Sequence, residues 1–282
     1  MQFLYLIFRK GDNMKKILFS VSLLLSVCML SSCKILSKSS NQNGVEDSSE
    51  IDDSLDTTEI ITTYTEAYSK VMHSCFGVRS IISQSSYAIG SCVCIKQDDN
   101  YSYFITNRHV IEAADTTKES ENVSVYFGDG IFYTATILAC TTYSERIANQ
   151  ADDLAILRIT TPSTNSIKIN PVEISTSVIS KGTAVISVGC PLSLTNYNTL
   201  TEGIVSKVLT SQDLYMHTAT INPGNSGGGL FTLDGKLVGI NVSGDYKLAT
   251  EEGYTYNTVD DMYNAITYEH LESFLSDKDF SL

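Results

Sequence analysis

From about residue 60 onward, apolar and polar side chains alternate in short runs broken by Gly, Asn and Asp steps, the pattern of half-buried strands joined by tight turns. In the first half this alternation predicts strands over 71–80 and 86–95, a turn at Asp98-Asp99-Asn100, and a strand through Tyr103-Phe104-Ile105-Thr106. A second hairpin follows, with 122–127 and 131–140 flanking Gly128-Asp129-Gly130. A polar loop over 144–151 precedes Leu154-Ala155-Ile156-Leu157, which is apolar enough to be buried, and 163–175 reads as a linker. Further strands are expected over 184–188, 203–209, 214–220, 228–232 and 237–242, the last two joined by an Asp234-Gly235 turn. Helical spacing is confined to 60–70 and to 261–275, where Met262, Ile266, Leu271 and Leu275 lie on one stripe. The pattern is that of a predominantly β domain over 60–282 that closes on a C-terminal helix at about 261–276.

The preceding residues follow other rules. Met14-Lys15-Lys16 and the apolar run 17–30 have the form of a secretory signal, with 1–13 as upstream residues and translation starting at Met1 or Met14. The run falls short of the ~20 residues of a membrane span. It ends in Leu30-Ser31-Ser32-Cys33, which resembles the lipobox of bacterial lipoproteins, so that 1–32 would be removed and Cys33 lipidated. Residues 33–59 are dominated by Ser, Asn, Asp and Glu and cannot offset the entropy of folding, which predicts a flexible tether.

A hydrophobic fraction of 43% allows a sizeable core, and the formal charge is -13. Four of the 19 basic and one of the 32 acidic residues precede Cys33, leaving -16 on the remainder. Such a surface repels nucleic acid, and neither a basic cluster nor metal-ligand spacing appears, so no metal and no cofactor are expected. Besides Cys28 and Cys33 the cysteines are Cys75, Cys92, Cys94, Cys140 and Cys190, an odd number read as buried thiols, with a bridge from Cys75 to Cys92 or Cys94 as the alternative.

The chemistry centres on Asn222-Pro223-Gly224-Asn225-Ser226-Gly227-Gly228-Gly229-Leu230, where one hydroxyl sits on a glycine-walled turn. Glycines let a substrate carbonyl approach backbone N–H groups, as an oxyanion requires. A serine becomes nucleophilic only beside a base that is itself oriented by a carboxylate. His109, at the end of the Tyr103 strand, is the candidate base, and Asp153, just before the buried strand, is the acid. Gly224-Asn225-Ser226-Gly227-Gly228 also satisfies the α/β-hydrolase string, which His270 would complete, but that elbow needs a helix where 227–240 reads as a hairpin.

With His109, Asp153 and Ser226 in that order, the chain resembles the trypsin-like serine peptidases, most closely the protease domain of the bacterial HtrA/Deg group. The matching stretches include Gly90-Ser91, Ile105-Thr106-Asn107-Arg108-His109-Val110, Asp153-Leu154-Ala155, Gly189-Cys190-Pro191-Leu192, Gly203-Ile204-Val205-Ser206 and Gly235-Lys236-Leu237-Val238-Gly239-Ile240-Asn241. The resemblance implies an all-β fold of two six-stranded antiparallel barrels, the first about 69–165 and the second about 172–255. It also implies a Ser-His-Asp triad in the cleft, an oxyanion hole at Gly224, Asn225 and Ser226, polypeptide substrates and a homo-oligomer of unspecified size. His217, Thr218, Ile240, Asn241 and Val242 fall where the group walls its specificity pocket, with a packed strand histidine as the alternative reading of His217. Thr218, Cys190 and Gly229 depart from residues usual in the group, and the strand Ile240-Asn241-Val242-Ser243 lacks the histidine by which glutamyl endopeptidases recognise an acidic side chain, so small or aliphatic P1 residues are expected. The sequence ends soon after the last helix, so the PDZ domains usual in the group are not expected. The reading is a secreted, lipid-anchored serine endopeptidase; the rival is a trypsin-fold surface lipoprotein that binds or adheres with little catalysis.

Overall fold

The computed structural model describes residues 63–164, 166–243, 245–250, 253–258 and 262–282. The predicted signal, Cys33 and the tether lie outside them. The first described element is α1 (Tyr64–Val71), whose start is set by a capping box: Thr63 Oγ1 accepts from Glu66 N and Glu66 Oε2 accepts from Thr63 N.

Six strands follow, β1 (Cys75–Ser83), β2 (Ser86–Gln97), β3 (Tyr101–Thr106), β4 (Val123–Tyr126), β5 (Phe132–Cys140) and β6 (Ala155–Thr160). They close antiparallel into a barrel in the order β1-β2-β3-β6-β5-β4. Phe76, Phe104 and Phe127 fill it, with Phe76 edge-on to the other two at 5.8 and 4.7 Å. A second antiparallel barrel comprises β7 (Ala184–Gly189), β8 (Thr199–Leu209), β9 (Leu214–His217), β10 (Gly229–Thr232), β11 (Leu237–Ser243) and β14 (Tyr263–Thr267), ordered β10-β11-β14-β9-β8-β7. Val93, Ile105 and Ile156 of the first barrel share one buried apolar cluster with Val185, Leu230 and Val238 of the second, so the barrels are packed on a common core. The two expected six-stranded barrels are therefore present.

Three local expectations are corrected. The polar loop over 144–151 is α2 (Tyr143–Ala148) followed by a 3-10 turn (Gln150–Asp152). A second capping box, Thr142 with Glu145, nucleates it where no apolar period announces a helix. The helix expected over 261–275 divides. Met262 lies ahead of β14 and Ile266 within it, because this segment pairs with β11 on one side and β9 on the other, and α3 (Tyr268–Asp277) starts only after the Thr267 cap. Pairing on both edges overrides the helical period, and the second barrel closes beyond residue 255. Between β11 and β14 stands an unforeseen hairpin of β12 (Asp245–Thr250) and β13 (Gly253–Thr258).

All five described cysteines are free thiols, so the alternative of a bridge from Cys75 is not realised. Register places Cys75 opposite Val93 and Phe76 opposite Cys92. Burial pushes the Cys75, Cys94 and Cys190 thiols up to about 12, which makes them unreactive.

His217 on β9 is wholly buried, and among the described residues no group meets either ring nitrogen with good hydrogen-bond geometry. Burial pushes its pKa down to about 4, against a smaller opposing pull from the Ala219 backbone and the Asn241 side chain. The unfolded chain, with a histidine pKa of about 6.5, therefore binds the proton first as the pH falls. The stabilising contribution of neutral His217 is complete above that value and shrinks towards pH 4. Between about pH 7 and pH 5 the protein is expected to lose about 2 kcal/mol through this residue alone. Urea unfolding at both pH values should show that His217→Leu loses about that much less than the unsubstituted chain.

Candidate active site

β3 delivers the chain to a 3-10 turn (Arg108–Ile111) that carries His109 at the mouth of the first barrel. Register between β3 and β6 sets Thr106 opposite Ala155, which brings Asp153, two residues ahead, alongside that turn. Asn107 locks the approach, its Nδ2 donating to Asp153 O at 2.8 Å. Asp153 then receives two bonds from one residue: the His109 backbone N–H at 2.8 Å on Oδ1 and ring Nδ1 at 2.5 Å on Oδ2. Asp153 is only 3% exposed. Burial opposes its ionisation, but the charge and hydrogen bonds of His109, with Arg146 nearby, hold its carboxyl below the usual range. A carboxylate on Nδ1 makes that nitrogen the donor and leaves Nε2 as the basic one.

Ser226 is presented by the second barrel. The turn is wound by Asn225 N–H donating to Asn222 O, Gly228 N–H to Asn225 O and Gly227 N–H to Asn241 O, each at 2.9 Å. Gly224 and Gly227 adopt φ of 103° and 84°, and a Cβ on Gly227 would lie 2.2 Å from Ser91 O. Ser226 Oγ donates to Val242 O at 3.3 Å. Asn225 is buried with its Oδ1 unpartnered, so it builds the turn from within.

The two N–H groups flanking Asn225 are those of Gly224 and Ser226. Leu192 N–H donates to Pro223 O at 2.6 Å, and because a trans peptide sends C=O and N–H to opposite sides, the Gly224 N–H faces away from the Leu192 loop. Among the described residues, neither the Gly224 nor the Ser226 N–H donates to a protein acceptor. Two unsatisfied donors beside a hydroxyl are suited to a developing oxyanion.

The other predicted site residues fare differently. The side chains of His217, Ile240 and Asn241 are fully buried and that of Val242 nearly so, so as placed these side chains do not line an open pocket. Asn241 Nδ2 donates to Ser187 Oγ at 2.8 Å. Thr218 spends its hydroxyl on Ile204 N at 3.0 Å. The structure sets His270 on α3, joined by Nε2 to Asp152 at 2.9 Å and by Nδ1 to Asp213 at 3.3 Å, and not to Ser226. Ser91, Thr106 and Asn107 hold the site together yet were not singled out by sequence. They stand in recognised stretches, but only their hydrogen bonds reveal what they hold.

The chain is 34% identical over 210 residues to the Serine protease Do-like HtrA of Bacillus subtilis, covering 70% of this chain and 43% of that protein. It is 28% identical over 197 residues to a Probable periplasmic serine endoprotease DegP-like of Buchnera aphidicola, covering 66% and 37%. The chain thus spans less than half the length of these relatives. The crystal structure of the serine endoprotease from Yersinia pestis superposes with a TM-score of 0.56 at 26% identity, covering 78% of this chain and 68% of that one. The model of the trypsin-like peptidase domain matches residues 90–240, more than half of the sequence and a span that takes in His109, Asp153 and Ser226. By that match the chain belongs to the trypsin-like peptidase family.

Proposed function

We propose that the protein is an HtrA-type serine endopeptidase that cleaves polypeptides through an acyl-enzyme. Ser226 Oγ attacks the scissile carbonyl while His109 Nε2 takes its proton and returns it to the leaving amine. Asp153 keeps the ring in the tautomer that makes Nε2 basic. The N–H groups of Gly224 and Ser226 receive the oxyanion. Because Ser226 Oγ rests on Val242 O, the hydroxyl first turns about χ1 towards His109, a step between staggered wells. The observation that carries this reading is the Asp153-held His109 with its Nε2 left basic.

The finer features rest on sequence. Residues 1–32 act as a signal, Cys33 carries the lipid, and 33–59 tether the peptidase domain 60–282 at the cell envelope or its outer face. The relatives named as periplasmic in Buchnera aphidicola and Halomonas elongata support that location. Homo-oligomer formation accompanies the HtrA likeness. Asn241, committed to Ser187, offers no positive charge to an acidic P1 side chain, which fits small or aliphatic P1 residues.

The test is mass spectrometry of the full-length chain in detergent after exposure to a fluorophosphonate probe. A single adduct on Ser226, absent from Ser226→Ala and His109→Ala, is expected. A folded protein without an adduct would favour the binding or adhesion module instead.

A further inference from the structure

Ser91 lies on β2 of the first barrel, is fully buried, and commits every polar group it has. Its N–H donates to Ser226 O at 2.8 Å, and its own carbonyl accepts from Thr106 Oγ1 at 2.7 Å. Its hydroxyl donates to Gly224 O at 2.7 Å and accepts from Cys190 N–H at 2.8 Å. Three of these four bonds cross from one barrel to the other: two end on the turn that carries the Gly224 and Ser226 N–H groups, and the third on the Cys190 loop beside it.

The two bonds of the hydroxyl fix the two peptide planes around Gly224. The bond to Gly224 O sets the Gly224–Asn225 plane directly. The bond from Cys190 N–H anchors the loop in which Leu192, two residues on, holds Pro223 O and thereby aims the Gly224 N–H. That loop is strained: Leu192 has φ of 64°, a left-handed conformation that a non-glycine residue keeps only when its surroundings impose it.

We propose that the Ser91 hydroxyl is a positioning residue for the oxyanion hole, holding the Gly224 N–H in its donating orientation from the opposite barrel. The inference rests on the endopeptidase reading. Ser91→Ala leaves Gly224 O and Cys190 N–H buried and unpaired, so the Pro223–Gly224 plane is free to turn and the donor is lost for part of the time. The ring pair of His109 and Asp153 is untouched.

The test combines active-site titration by the burst of a chromogenic ester with steady-state peptide cleavage by the full-length chain. For Ser91→Ala we expect one burst equivalent per folded chain, kcat per titrated site lowered about 10- to 100-fold, KM within about threefold, and an unchanged pH profile. A merely structural role would instead lower the number of titrated sites and leave kcat per site within about twofold, which would overturn the inference. Ser91→Cys, which fills similar space with a weakly donating thiol, is expected to fall between the two proteins, and it carries the test if the alanine variant does not fold. An unsubstituted chain that gives neither burst nor adduct would remove the endopeptidase reading and this inference together. Normal turnover by Ser91→Ala beside an active parent would remove only the inference.

Discussion

Ser226→Ala is expected to lower kcat for peptide cleavage by about 10⁴ to 10⁶ and to leave the fold in place. Among the described residues the hydroxyl makes a single long hydrogen bond, to Val242 O, so its loss leaves few native interactions unmade. Catalysis loses the atom that forms the acyl bond, and what remains comes from the two N–H donors acting on a bound substrate attacked by water. His109→Ala should cost a similar factor, and the double variant little more than either alone, because the residues act as one unit. The kinetics of a peptide cleaved by the parent protein, with circular dichroism to verify folding, measure all three. Losses that simply multiplied in the double variant would argue against a shared proton-transfer step.

Arg108→Met is expected to destabilise the fold by about 3 kcal/mol, the low end for breaking a buried charge pair. Arg108 is fully buried beside the His109 turn. It reaches Glu112 Oε1 at 2.5 Å, Thr141 O at 2.9 Å and Glu119 Oε1 at 3.2 Å. Burial already raises the Glu112 carboxyl against the pull of Arg146 and Arg108. Removing one guanidinium strands that carboxylate further, while Arg146, 2.9 Å from the same oxygen, retains part of the compensation. The midpoint of thermal unfolding should fall by about 10 °C. Arg108→Lys should recover little, since an ammonium cannot serve the Thr141 carbonyl and both carboxylates from a planar fork. Adding Glu112→Leu to Arg108→Met should restore part of the loss, which scanning calorimetry of the three variants would establish.

Much of the fold was legible because strands joined by Gly and Asp turns write a two-residue period that survives into the structure, as in β4 and β5 around Gly128-Asp129-Gly130. The His109–Asp153 pairing was legible from short motifs on β3 and β6, neighbouring strands whose register does the rest. What escaped was decided by partners distant in sequence. Tyr263–Thr267 has a helical stripe and becomes a strand because two edges compete for it. His217 could be read as pocket wall or core, and only the closed barrel assigns it to the core. Ser91 stands in a recognised stretch, but its bonds were not legible there, since its partners Gly224 and Ser226 lie more than 130 residues away.

The division of the site between two barrels also bears on how the chain survives its own synthesis. Closing the first barrel requires only residues 75–160, and it yields His109 and Asp153 without a nucleophile. The second barrel brings Ser226, yet its turn has no Ser91 to rest on until the halves dock. Long-range β pairing is slow, so folding populates species with exposed, cleavable chain. Under the proposed mechanism those species are inert towards one another. Proteolytic capacity arises at the last step of assembly, when the strands of both barrels have already closed.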